Sequence, residues 1–197
     1  TMADLRGHTV GVPGKFGESW FALVTGLRQA GLTESDVTVV EIGYTPQPAL
    51  TTGQVDALVG FSNSDLLNFA AAGIPVRSID PDVPLVSICL ATTAEYAKAH
   101  PDIVSLVASG MMRGMEEAIT DPARTLEIAG DYIPAFHDEI RDQAAIVLPA
   151  TTALFVDDQG KVSPTFDAEQ WAKMATAMER AGLIPAGVDA ASAYINI

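Results

Sequence analysis

The chain has 197 residues, 48% hydrophobic and 18% charged, with 25 acidic against 11 basic side chains. That apolar content excludes a disordered chain and suffices for one large domain or for two small lobes with cores of their own. A formal charge of −14 and a pI near 4.3 repel phosphate backbones and anionic lipid, which excludes nucleic-acid binding and membrane-surface roles.

Dense structural pattern begins almost at once after Thr1-Met2-Ala3. Short apolar runs alternate with longer amphipathic ones, the signature of parallel βα units. Thr9–Pro13 reads as a strand. Ser19–Ala30 reads as a helix, with Trp20, Leu23, Val24 and Leu27 on one face and Gly31 closing it. Val37–Ile42 is a second strand, Gln47–Thr52 a short helix ending at Gly53, and Ala57–Phe61 a third strand behind Asp56. Asp65–Ala72 is helical up to Gly73, and Val76–Ile79 is a short strand.

After Val83 the texture changes. Leu85–Ala91 is expected to be a strand and Ala94–His100 a helix stopped by Pro101. A long helix follows over Ile103–Thr120, with Val104, Val107, Met111, Met115 and Ile119 on one stripe, and another starts at Asp121-Pro122. A further helix is expected over Asp138–Ile146, a turn at Asp157–Gly160 between two extended segments, and a final helix over Ala168–Ala181 capped by Phe166-Asp167 and closed by Gly182. No stretch reaches the ~20 apolar residues of a spanning helix. Cys89, the one cysteine, excludes an internal disulfide and multi-cysteine metal motifs, and its apolar surroundings predict a buried small hydrophobe.

Three loops carry candidate binding chemistry. Gly11-Val12-Pro13-Gly14-Lys15-Phe16-Gly17-Glu18-Ser19 runs from a strand through a glycine-rich turn into a helix N-terminus, at the sheet edge where open α/β sheets hold ligands. It lacks the Lys-Ser/Thr ending of a P-loop and the spacing of a dinucleotide fingerprint, and it also fits an ordinary βα turn. Glu18 in the first helical turn offsets the positive helix end, so this edge favours a neutral or amino-bearing heteroaromatic over nitrate or a sulfonate. Phe16 and Trp20 offer rings to stack on such a group, although Trp20 lies on the helix's apolar stripe as well, and Lys15 is expected to point to solvent.

Tyr44, Thr45 and Gln47 form the second loop, with a loop-covering Tyr44 and a helix-capping Thr45 as the plainer alternative. The third is Phe61-Ser62-Asn63-Ser64-Asp65, where Asp65 equally suits a helix cap. The candidate ligand-binding residues are thus Gly14, Phe16, Gly17, Glu18, Ser19, Trp20, Tyr44, Thr45, Gln47, Phe61, Ser62, Asn63 and Asp65, converging on one edge. No catalytic residue, metal or cofactor is expected. His8, His100 and His137 fall outside these loops, and Ser62 in Gly60-Phe61-Ser62-Asn63-Ser64 lacks a nucleophile elbow's glycines.

The wording also resembles a known family. Asp4-Leu5-Arg6-Gly7-His8-Thr9-Val10-Gly11-Val12-Pro13-Gly14 is similar to the opening of the second lobe in ABC-importer solute-binding proteins, in the family that takes thiamine pyrimidine precursors, riboflavin, alkanesulfonates and nitrate. Gly53-Gln54-Val55-Asp56-Ala57, Ala72-Gly73-Ile74-Pro75-Val76, Tyr96–Val104 and Phe166–Trp171 with Ala181–Ile184 continue the resemblance in order. It implies a type II periplasmic-binding-protein fold, an α/β architecture of one complete βα lobe plus the C-terminal helical part of the other. Residues 3–84 would be lobe 2, 85–93 the return crossing strand and hinge, and 94–197 the helical part of lobe 1.

The same resemblance implies that the first-lobe strands lie upstream of Thr1, so the chain is expected to be a fragment. It implies a small-molecule ligand of heteroaromatic vitamin or precursor type, no enzymatic activity, ABC permease and ATPase subunits as partners, and a periplasmic or extracytoplasmic, membrane-anchored location. An alkanesulfonate or nitrate ligand, or a thiamine-pyrimidine biosynthetic enzyme of the same fold, are the alternatives. The Ser62-Asn63-Ser64-Asp65 run departs from the Asn-Asn-Glu-Pro-like run of riboflavin- and pyrimidine-binding relatives.

Overall fold

Period-two alternation along the strands decides which side chains face which helix layer. In the computed structural model, which describes residues 1–86, 88–163 and 165–196, Thr9–Val12 forms β1, Thr38–Glu41 β2 and Ala57–Leu58 β3, a parallel sheet of order β2-β1-β3. Thr9 pairs with Thr38 and Val12 with Glu41 on one side of β1, and Val10 pairs with Ala57 on the other. Val10 and Val12 join Val39, Ala57 and Val59 on one face, beneath the helix α1, Gly17–Gln29, which contributes Trp20, Leu23, Val24 and Leu27. The opposite face carries Val40, Ile42 and Leu58, with Ala49 and Leu50 of α2, Pro46–Thr51, and with Val55. Helices on both faces are what a parallel sheet requires. A third helix, α3, Asp65–Ala71, buries Phe69.

Gly11 sits in the middle of β1 because the α2 face leaves it no room. A Cβ there would come within 2.9 Å of Ile42 Cδ1 and 3.3 Å of Val55 Cγ1.

The described residues form two compact units, Thr1–Ile88 with Phe166–Ile195, and Cys89–Thr165 with Asn196. In the first, the helix α8, Ala168–Arg180, packs on α1, and Ala181 behind it joins the larger core. The second holds α4, Ala94–Ala99, α5, Pro101–Thr120, α6, Pro122–Tyr132, and α7, Asp138–Thr152. Pro101 and Pro122 stand at first-turn positions, where a missing N–H costs nothing, and the Asp121 side chain accepts the Arg124 N–H at 2.9 Å. Asp157 Oδ1 accepts from the Gln159 and Lys161 amides and shapes the expected turn, with Val156 and Val162 bridged across it.

Several expectations need correction. Val76–Ile79 forms no strand, and neither do the described residues of Leu85–Ala91, of which Ser87 lies outside the described residues. A strand exists only with a neighbour to complete its hydrogen bonds, and the sheet offers these segments none. For the same reason Ile88 and Cys89 are exposed, and Cys89 is not the buried hydrophobe its surroundings predicted. β3 ends at Leu58 rather than Phe61, its last pair being Leu58 with Gly11 of β1. The helix expected to stop at Ile146 runs on through Pro149 to Thr152. On α5 the expected stripe is half covered: Met111 and Met115 are partly buried, whereas Val107 and Ile119 are exposed.

Candidate functional site

Strand order creates the candidate site. β1 connects through α1 to β2 on one side, and β2 connects through α2 to β3 on the other, so successive connections diverge between β1 and β3. At such a switch point the carboxyl ends of the strands leave a crevice. The β1–α1 loop, residues 13–16, and the β3–α3 loop, residues 59–64, flank it, and the loop after β2 lies one strand further out.

Each loop carries an exposed aromatic ring. Phe16 is 62% exposed, Tyr44 85% and Phe61 41%. Phe16 is the N-cap of α1 and has an extended backbone, but no side-chain oxygen to accept the first-turn amides. Gly17 begins the helix at φ +67, a conformation that favours glycine. Glu18, half-buried, stands in the first turn.

The polar groups of these loops brace the rings. Asp65 Oδ2 accepts the Phe61 amide at 2.8 Å, and Gly60 lies so close that a Cβ there would fall 2.9 Å from that oxygen. Thr45 Oγ1 donates to the Ile42 carbonyl at 2.7 Å and so steadies the turn that presents Tyr44. Gln47 Nε2 donates to the Asn68 carbonyl at 3.2 Å, tying α2 to α3. Ser62 is exposed and Asn63 half-buried in the turn before α3.

Two expected residues are turned away from the edge. Trp20, only 9% exposed, packs among Leu23, Val24 and Leu27, because its place on the apolar stripe of α1 points it at the sheet. Ser19 is buried one residue earlier. Lys15 is exposed, yet its Nζ sits 5.5 Å above the Trp20 ring rather than standing free in solvent. Gly14 is buried, its place beside Phe16 filled by that ring. Gly60 is the contributor that sequence reasoning missed; a glycine between a strand and an acidic helix start was the available signal.

At the opposite, amino edge of the sheet, Asp56 Oδ2 accepts the Thr9 amide at 2.8 Å, with His8 Nδ1 at 3.5 Å. The Thr9 hydrogen bond, helped by His8, holds the Asp56 carboxyl below the usual carboxylate range. The His100 ring lies tilted against that of Tyr96, with centroids 4.6 Å apart, and His137 is the N-cap of α7. Among the described residues no group of three or more His, Cys, Asp or Glu side chains is placed to hold a metal ion.

A parallel sheet covered on both faces with a loop-lined carboxyl edge is an open α/β lobe, and solved structures of periplasmic binding proteins share this fold. The periplasmic aliphatic sulphonate binding protein SsuA from Escherichia coli superposes with a TM-score of 0.70 at 20% identity, over 99% of this chain and 61% of that one. The alkanesulfonate-binding protein SsuA from Xanthomonas axonopodis pv. citri, bound to MOPS, gives 0.70 at 21% identity over 98% and 64%. Residues 1–125 match the family described as NMT1/THI5 like, and the chain belongs to that family. The riboflavin-binding protein RibY of Chloroflexus aurantiacus is 28% identical over 203 residues, covering 100% of this chain and 57% of that protein. A 4-amino-5-hydroxymethyl-2-methylpyrimidine phosphate synthase of Aspergillus parasiticus is 23% identical over 93% of this chain and 55% of its own length. The chain therefore spans little more than half the length of these curated relatives.

Proposed function

We propose that the protein is the solute-binding component of an ABC importer, and that it captures a small heteroaromatic vitamin or precursor of the riboflavin or thiamine-pyrimidine type. The observation that carries this reading is the trio Phe16, Tyr44 and Phe61, exposed on successive loops at one sheet edge while the large hydrophobic side chains of α1 and the sheet are buried or half-buried. Exposed rings at a crevice suit a flat aromatic ligand. Glu18 at the head of α1 opposes an anion there, and the similarity to a riboflavin-binding protein along the whole chain supports the same class.

In this reading residues 3–84, with the 166–195 segment that packs on them, are the second lobe, 85–93 the return crossing and 94–165 the helical part of the first lobe, whose remainder the rest of the protein supplies. Ligand contacts made to both lobes shift the population from open to closed, and the closed form docks on a permease with its ATPase subunits. In the same reading the protein works outside the cytoplasm, anchored to the membrane, and does no chemistry on its ligand. Thermal-shift screening of the full-length protein against riboflavin, 4-amino-5-hydroxymethyl-2-methylpyrimidine, taurine and nitrate tests this. A heteroaromatic compound is expected to raise the melting temperature; a rise with the anions alone refutes the ligand class.

A further inference from the structure

We infer that Gly14 is a positioning residue, whose missing Cβ leaves the seat in which the Phe16 ring is held for the ligand. The inference rests on the proposed heteroaromatic reading and adds to it how the stacking ring is fixed. Gly14 does not have the left-handed backbone that usually explains a glycine in a turn, whereas Gly17 does. Space explains it instead. A Cβ on Gly14 would lie 2.8 Å from Phe16 Cδ1, 3.0 Å from Cζ and closer still to Cε1, so the ring occupies the volume that any other residue would fill.

The ring therefore folds back over the loop and buries Gly14, yet remains 62% exposed. It is supported on one side and open on the other, as a stacking platform must be. The neighbouring Lys15 Nζ sits 5.5 Å above the Trp20 ring, a second side-chain contact of the same loop. Any side chain at position 14 displaces the ring, and the ligand then meets an unsupported phenyl group that must be ordered on binding.

The test is a two-by-two set of variants in the full-length protein, with riboflavin and 4-amino-5-hydroxymethyl-2-methylpyrimidine as probes, affinity read by calorimetry and folding by thermal melt. Gly14→Ala and Phe16→Ala are each expected to weaken binding by roughly three- to tenfold, the range of an aromatic stacking contact. The double variant is expected to bind no more weakly than Phe16→Ala alone. Phe16→Ala makes room for the new methyl group, so the double variant reports even where Gly14→Ala alone fails to fold. If Gly14→Ala weakens binding equally in both backgrounds, or binds as well as wild type while Phe16→Ala does not, the positioning role is overturned and the heteroaromatic reading stands. If Phe16→Ala binds like wild type, or wild type binds neither probe, that reading falls and this inference with it.

Discussion

Trp20 and Phe16 are four residues apart, and the structure gives them opposite work. Replacing Trp20 with alanine should unfold the α/β unit much more easily, whereas replacing Phe16 should cost it far less stability. A tryptophan side chain buries up to about 250 Å². With 9% left exposed, Trp20 keeps roughly 230 Å² from water, worth at most about 6 kcal/mol at ~25 cal/mol per Å². The retained methyl group and partial collapse of the site lower this to about 3–5 kcal/mol. The lost contact with the Lys15 ammonium adds about 0.5 kcal/mol at so exposed a position. Phe16, at 62% exposure, hides only some 80 Å², so its ceiling is near 2 kcal/mol and the expected loss about 1 kcal/mol. Equilibrium urea unfolding of the full-length protein, read as midpoint and slope, measures both. A Trp20→Ala loss below about 1 kcal/mol, or one no larger than that of Phe16→Ala, refutes the assignment of Trp20 to the core.

Two further outcomes follow from hydrogen bonds of the same unit. The Asp56 carboxyl sits below its unfolded-state pKa through the Thr9 amide, so its contribution is present above the unfolded value and is lost as pH falls toward the folded one. Asp56→Ala should therefore lower the urea midpoint at neutral pH, with the gap from wild type narrowing as the pH drops through the carboxylate range; a gap independent of pH contradicts this. Asp167 caps α8 by accepting the Glu169 amide at 2.7 Å and the Gln170 amide at 3.4 Å. Asp167→Ala should cost about 1 kcal/mol and speed hydrogen exchange at those two amides, and unchanged exchange there removes the cap.

How much of this was legible beforehand depended on whether a signal was local. The amphipathic spacing of Trp20, Leu23, Val24 and Leu27 announces α1, and the glycines after α2 and α3 mark their ends at φ +71 and +68. Those are properties of a few neighbouring residues. The strand expected over Leu85–Ala91 failed because an apolar run says only that a segment would accept a partner, while β pairing needs the partner to be there. Asp65 could be read as a cap or as a ligand group; the fold uses it to brace the Phe61 amide.

By itself, then, the sequence determined the alternation of strands and helices, the acidic charge balance, and the aromatic loops after β1, β2 and β3. Tertiary structure alone decided the order β2-β1-β3, which sets the Phe16 and Phe61 loops on either side of one crevice and Tyr44 a strand away. It also decided that Trp20 is core while Phe16 is surface, because burial depends on what lies across the sheet, and Gly14 has room for the ring only once the loop has folded back on itself.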